Sequence, residues 1–460
     1  MSEKKRLILN LFEMNTPSHI THGLWRLDGN QRERFNDIDY WIELAQLLEG
    51  GGFDGIFLAD VVGTYDTFRG GPETALREGM QIPSNDPLLL VPAMAAVTKR
   101  LGFGVTFSTT YEPPFAFARR MSTLDHLTKG RIGWNIVTSY LPNAAKNFGL
   151  DNEVPHDQRY AIADEYLHVL YKLWEGSWDD DAVLRDRERG VYTDPSKVRY
   201  IDHVGEHFRV KGPHLAEPSL QRTPVLFQAT GSPAGIAFAG RHAEVVFTGG
   251  RSVADFQKNA LAMREGAIAQ GREGSDIKFI VQAGIVVGRT EEEAADKWRR
   301  YREHTSLEGI LAHMSLPIDL PAFPRDTPLR EVPGAERFAA SEDDTVGSAL
   351  DRIVAGREDR FFVAGTPKVV ADEIELWLDE AGIDGINLRQ YHSFDTARDF
   401  ADLVVPELRR RGRLRDEDEA PQTLRERLFD RGARLPENHI GTRYRGGAHF
   451  DEPVPTLALV

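Results

Sequence analysis

The residues best suited to chemistry follow one another at the ends of short apolar runs. Glu13 follows the run at 7–12 and Asp60 the run at 53–59, while Thr106 and Ser108 end the run that begins at 101. Asn135, Thr138 and Ser139 close a fourth run, and Gln228, Thr230 and Thr248 follow two later ones. Polar strand ends are common one at a time; gathered on one rim they form a ring of donors and acceptors around a pocket. The stretch Ala229-Thr230-Gly231-Ser232-Pro233-Ala234-Gly235 ends a strand-like run and opens a helix, with Ser232 as cap and Pro233 in the first turn. Free N–H groups at such a terminus hold an anion, and the missing side chain at Gly231 lets a phosphate come close, although an ordinary capped turn has the same residues. His156-Asp157-Gln158-Arg159-Tyr160 opens a further helix. An imidazole, a guanidinium and a phenol at helical spacing suit a phosphate and a polyol chain, or else a capped helix start with a surface ion pair. The loop at 14–26 carries His19, His22 and Trp25, and another carries Tyr65 and Phe68; a loop histidine is more often structural than a proton donor.

Several chemistries are excluded. There is no cysteine, hence no disulfide, thiolate nucleophile or cysteine-ligated metal. His-x-His is absent from the end of the first run, which reads Asn10-Leu11-Phe12-Glu13, and no HExxH spacing appears, so no metal is expected. No Gly-Lys-Ser/Thr follows the glycine turn and no Gly-x-Ser-x-Gly elbow occurs, which removes a P-loop and a serine hydrolase. A formal net charge of −15 disfavours nucleic acid and anionic membrane and leaves a small molecule as the expected partner. No run of 18 apolar residues occurs and the first residues lack a signal-peptide pattern, so the expected location is cytoplasmic.

The elements that must position these groups alternate between strand length and amphipathic helix length, which forces parallel strands with crossover helices. Eight strands are expected at 7–12, 53–59, 101–106, 131–137, 225–229, 244–247, 277–287 and 383–388. A helix opens at the Asn36/Asp37 cap with Ile38, Trp41, Ala45 and Leu48 on one face. Another runs from Asp86-Pro87 to about Arg100, and a third over 114–128 stops at Gly130. The fold class is therefore α/β, a (β/α)8 barrel over 1–412. Insertions at 139–222, with a helix over 159–175, and at 305–344, rich in proline, are expected to cover the site or meet a neighbouring subunit. From Arg413 the composition turns to charge, Gly and Pro, which predicts an extended C-terminal arm without a core over 413–460, loose or laid on a neighbouring subunit.

The run from Thr106-Phe107-Ser108-Thr109-Thr110-Tyr111 through the block at 123–139 resembles the bacterial luciferase-like flavin monooxygenases. It is most similar to the branch of nitrilotriacetate, dibenzothiophene sulfone and dimethyl sulfide monooxygenase large components. His22-Gly23-Leu24-Trp25-Arg26, Phe57-Leu58-Ala59-Asp60, Asn147-Phe148-Gly149, His156-Asp157-Gln158-Arg159-Tyr160 and Gln228-Ala229-Thr230-Gly231-Ser232-Pro233 extend the likeness over about 7–412. The resemblance implies a TIM barrel that takes FMN, reduced by a separate NAD(P)H-dependent flavin reductase, and activates O2 as a flavin (hydro)peroxide. It implies oxidative cleavage of a C–S or C–N bond in a small organic compound, and a homodimer or homotetramer. By position, Asp60, Thr106, Asn135 and Thr138 fall around the isoalloxazine, and His156 and Tyr160 at the ribityl–phosphate end. Thr230, Gly231 and Ser232 fall on the phosphate, and Phe12, His22, Trp25 and Tyr111 on the substrate. His22 is the expected proton donor. Sulfone-type members carry a histidine two residues before the His-Gly pair, where this chain has Ile20, with a histidine at His19; the substrate stays open. Relatives that degrade riboflavin or a pyrimidine ring supply one alternative, and a non-catalytic flavin-binding protein another.

Overall fold

The computed structural model describes residues 4–250, 252–356, 360–415, 420–455 and 457, so parts of the expected arm (416–419, 456 and 458–460) lie outside the described residues. Eight parallel strands close into a barrel: β1 Ile8–Met14, β2 Gly55–Ala59, β3 Gly102–Ser108, β4 Ile132–Val137, β5 Val225–Ala229, β6 Val245–Phe247, β7 Lys278–Val287 and β8 Gly385–Arg389. Each pairs with the next in sequence, and β8 returns to β1 with Gly385 opposite Ile8, so the expected (β/α)8 barrel is the fold.

Inward-facing positions alternate with positions under the helices. Phe12, Phe57, Phe227 and Phe247 fill the interior with neighbouring ring centroids 4.2 to 6.0 Å apart. Glycine on β3 and β4 makes room for them: a Cβ at Gly104 would lie 2.9 Å from the Phe57 ring, and one at Gly133 would run into Phe227. This layer is the floor of the mouth, and the polar strand ends stand above it. Outside, helix α1 Ile38–Gly50 starts where the Asp37 carboxylate accepts from the Asp39 N–H, and it lays Tyr40, Trp41, Leu44, Ala45 and Leu48 on the barrel. Helix α2 Pro114–Thr128 ends on Lys129, whose φ of 56° is left-handed.

Four features differ from expectation. The helix from Asp86 is two short pieces, Pro87–Leu90 and Val91–Ala96, because Pro92 lacks the N–H that would carry it on. A ninth strand, Phe362–Gly365, pairs with the outer half of β7, which at ten residues runs past the barrel wall. Of the residues at 139–222, helix α3 His156–Tyr171 is an ordinary layer helix packed on Phe117 and Trp134. Of the hairpins that follow, the second packs on Glu165 in the middle of α3, while at the end of the insertion Gln221 donates to Asp125 Oδ1 and to the carbonyl of Ile132 at the start of β4. The second insertion covers the mouth through an apolar cluster that joins Leu311, Leu316 and Leu329 to Tyr65 and, from the start of the first insertion, to Leu141 and Ala144, which also line the cavity at the mouth.

The fourth difference is the C-terminal arm, which has a core after all. Leu424 and Leu428 plug the bottom of the barrel among Ile8, Val225 and Ile280, while Arg425 pairs with Glu244 and Arg427 with Asp54. Composition misled here because the buried arginines of the arm meet carboxylates on the barrel floor. No helix among the described residues is long and apolar enough to cross a membrane.

Candidate active site

At the end of β2, β4 and β5 the structure gathers Asp60, Thr138, His156 and Tyr160 around a cavity of about 290 Å3, together with Arg159, Gln228 and Phe238. On the inner wall Asn135 Nδ2 donates to Thr106 Oγ1 at 3.0 Å, which leaves Asn135 Oδ1 buried without a partner. Beyond β4 the chain turns sharply through Ser139, a non-glycine residue at φ 56°, whose hydroxyl donates to Ser108 Oγ at 2.9 Å. The carbonyl of Thr138 accepts from Thr110 Oγ1 at 2.7 Å.

The glycine turn sits beside this cavity. Ser232 caps helix α4 Pro233–His242 by accepting from Gly235 N at 3.2 Å, with Pro233 at the first position. A Cβ at Gly235 would strike Thr230 Oγ1 and lie 2.7 Å from Tyr160 Oη and 3.0 Å from Ser232 Oγ, so three hydroxyls converge on one helix N-terminus. A side chain at Gly231 would meet nothing within 4 Å, so the backbone there borders open space. Gln228 Oε1 and Arg159 Nε, on residues that line the cavity, and Thr230 Oγ1 at the helix N-terminus beside it are buried without partners. Buried polar atoms are ordinarily paired, so these orphans mark where a polar ligand completes the set. His156 lies at the outer edge, exposed, its Nδ1 2.8 Å from Asp157 Oδ1 and its ring 5.2 Å from that of Tyr160.

Asp60 is the perturbed acid of the site. Burial above all, and then the charge of Asp86, push its carboxyl up to about 8 against the pull of the Val61 N–H. The folded chain therefore holds a proton that the unfolded chain releases above the ordinary carboxylate range. This contribution to stability is full at acid pH and is lost as pH rises toward 8. Urea unfolding at pH 5 and pH 9 is expected to show a larger loss of stability for the wild type than for Asp60→Asn; equal losses would mean that Asp60 titrates normally.

The substrate-side candidates are held by separate partners. Phe12 belongs to the floor, its ring edge-on to His19 at 4.5 Å. Tyr111 stacks on Phe148 at 4.5 Å, on the apolar cluster under the second insertion. Trp25 donates its indole N–H to the carbonyl of Glu78 at 3.1 Å and pins the loop after β1 to the loop after β2. His22 is fully buried: Nδ1 is 3.1 Å from Ser18 Oγ and Nε2 is 2.9 Å from His313 Nδ1. His313, from the second insertion, lines a separate cavity of about 700 Å3 over β7 and β8, lies 3.3 Å from Gln81 Nε2 and meets the Tyr65 ring edge-on at 5.1 Å. Tyr65 and Tyr140 share a hydrogen bond between their hydroxyls, and burial holds both phenols neutral. Glu13 is committed to Arg32 and Gln390.

His313 has no sequence signal, since nothing in its proline-rich segment marks it. Arg159 stands inside a motif that reads equally well as a surface ion pair, and it does reach Glu153 at 3.1 Å. Among the described residues no group of three or more His, Cys, Asp or Glu could hold a metal ion.

Residues 16–385 match the family described as luciferase-like monooxygenase. The chain is 52% identical to the long-chain alkane monooxygenase of Geobacillus thermodenitrificans (strain NG80-2), over 96% of this chain and 98% of that protein. It is 43% identical to the dimethyl-sulfide monooxygenase of Hyphomicrobium sulfonivorans, over 96% and 94%. The crystal structure of a riboflavin lyase with modified FMN and riboflavin superposes with a TM-score of 0.87 at 39% identity, over 96% of this chain and all of that one. With a barrel whose polar rim carries the matched residues, the chain belongs to the luciferase-like monooxygenases.

Proposed function

We propose that the chain is the oxygenase component of a two-component system, receiving reduced FMN from a separate NAD(P)H-dependent flavin reductase and working as a homodimer or homotetramer. The observation that carries the reading is a set of unpartnered buried atoms: Gln228 Oε1 and Arg159 Nε on residues that line the cavity, and Asn135 Oδ1 and Thr230 Oγ1 on residues next in sequence to its lining residues Ile136 and Ala229, the latter beside a capped helix N-terminus. An acceptor such as Asn135 Oδ1 suits a ring N–H, and a helix N-terminus with converging hydroxyls suits a phosphate. Asp60, Thr106, Asn135 and Thr138 hold the isoalloxazine, His156 and Tyr160 the ribityl–phosphate end, and Thr230, Gly231 and Ser232 the phosphate. When bound, reduced FMN supplies the electrons that activate dioxygen.

The chain's own part is to orient, keep dry and move protons. Asp60 stays protonated near neutral pH and donates rather than repels beside an electron-rich ring. The second insertion excludes water from the mouth. His22 and His313 form the proton-handling pair, with His313 facing the cavity and His22 fixing its ring. The first reading of the chemistry is oxidative cleavage of a C–S or C–N bond. The 52% identity to a protein named long-chain alkane monooxygenase favours a second, oxygen insertion at a C–H bond.

Protein, FMN, flavin reductase and NADH are to be incubated with thioethers, sulfones, aminopolycarboxylates, alkanes and riboflavin while dioxygen uptake is followed. Uptake above the reductase control with one class is expected. No consumption of any of them, with FMN bound tightly as purified, would instead fit a flavin carrier. In anaerobic titrations Asn135→Ala and Thr230→Val are each expected to weaken reduced FMN binding by roughly tenfold, the scale of one lost hydrogen bond to a charged group. Unchanged affinity in both would remove the ring and phosphate assignments.

A further inference from the structure

Two cavities lie beside the second insertion, of about 700 Å3 and about 570 Å3, and both are lined by Ile20 and Arg389. Arg389 is the last residue of β8, two positions after the inward-facing Asn387, and only 9% of it is exposed. Its guanidinium donates to Gln282 Oε1 at 2.9 Å and to Tyr391 Oη at 3.3 Å, while its Nε is buried without a partner. Among the described residues no carboxylate pairs with it. Four comparably buried arginines do meet one: Arg241 with Asp164, Arg413 with Glu375, Arg425 with Glu244 and Arg427 with Asp54. Arg131 and Arg272 spend their donors mainly on backbone carbonyls instead, whereas Arg389 opens on two cavities. A guanidinium removed from water without a counter-ion is costly, and it persists where an arriving anion completes the pair.

The surroundings point the same way. The two cavities together are lined by five arginines and one carboxylate, Glu303. Arg299 is paired with Glu303 and Arg352 with the buried Asp344, and Arg302 and Arg360 are exposed, which leaves the inner charge on Arg389. Between the charges the walls are apolar, with Trp298 and Val354 in one cavity and Met314 and Phe338 in the other. His313 lines the larger cavity, so a molecule held at Arg389 lies in the same space as the proton-handling pair.

We infer that Arg389 is a substrate-binding residue that takes the anionic head of the substrate, a carboxylate or sulfonate, with an apolar body lying along the insertion. This rests on the monooxygenase reading and narrows its substrate class. Reduced flavin also presents anionic acceptor atoms, so the test has an arm for each source.

Full-length flavin-free protein is titrated with octanoate, 1-octanesulfonate and, as neutral control, 1-octanol, followed by calorimetry and tryptophan fluorescence. The anions are expected to bind roughly tenfold or more tightly than the alcohol. That preference disappears in Arg389→Gln and is partly kept in Arg389→Lys. Gln282→Glu, which gives Arg389 an internal counter-ion without deleting the guanidinium, abolishes it too and decides the matter if Arg389→Gln does not fold. Anaerobic titration with reduced FMN gives the same affinity in wild type and variants. No anion preference in the wild type, or one that survives both Arg389→Gln and Gln282→Glu, overturns the assignment. Loss of reduced FMN affinity in Arg389→Gln with octanoate binding intact also overturns it, and gives the guanidinium to the flavin. Failure of reduced FMN to bind the wild type sinks the monooxygenase reading instead and leaves the octanoate result readable.

Discussion

An Arg425→Met variant is expected to unfold at markedly lower urea concentration than the wild type, with a loss of about 3–5 kcal/mol, the range for breaking a buried ion pair from one side. Arg425 is wholly buried in the C-terminal arm, and its guanidinium donates to both oxygens of Glu244 at 2.7 and 2.8 Å and to the carbonyls of Thr223 and Ala433. Methionine fills much of the same volume but leaves the Glu244 carboxylate, 2% exposed, with the Leu226 N–H at 3.1 Å as its hydrogen-bond donor and His439 nearby. Burial alone would push the Glu244 carboxyl up; the charge and hydrogen bonds of Arg425 outweigh it and hold the group below its usual value.

The sign of the pH dependence follows. In the wild type the contribution of Glu244 is full above the ordinary carboxylate range and is lost as pH falls through its lowered value. In the variant the unpaired carboxyl takes up a proton, so the deficit is larger at pH 8 than at pH 5. The double variant Arg425→Met with Glu244→Gln is expected to recover much of the loss, because no buried charge remains. A deficit below about 1 kcal/mol, or one that ignores pH, would show that the arm is held by the Leu424 and Leu428 plug rather than by the pair.

The largest expected effect on activity comes from His313→Leu. With whichever substrate supports turnover, coupled product formation is expected to drop by roughly 100-fold, the lower end of what a positioned acid–base group contributes. Reduced FMN affinity stays as in the wild type, and a larger share of the dioxygen consumed leaves as hydrogen peroxide. His22→Gln acts through His313 and is expected to have a smaller effect, together with a displaced pH profile, since it removes the ring that fixes the His313 tautomer from 2.9 Å away. Wild-type product yield in His313→Leu would make the pair a structural clasp between the insertion and the loop after β1.

How far each feature could be read in advance depends on how local its cause is. The β7 strand was legible as a long apolar run at 277–287, but its splayed outer half was not, because the partner at Phe362–Gly365 is a four-residue segment with no periodicity of its own. The Ser232 cap and the Gly231 turn were legible because a helix N-terminus is decided within a few residues. Trp25 carried an aromatic ring at a suggestive place, and the fold used it to pin two loops together.

The sequence by itself determined the barrel, the order of its strands, the polar rim and the anion-ready turn, since all of these follow from alternation and from residues a few positions apart. Tertiary structure alone decided that His22 meets His313 across 291 residues, that the charged arm supplies the barrel's plug, and that Arg389 Nε is buried without a partner, with no carboxylate paired to Arg389 among the described residues. A residue's type and period report which face it takes. Whether its charge is answered depends on side chains delivered by segments far along the chain, and that is settled only when the chain closes on itself.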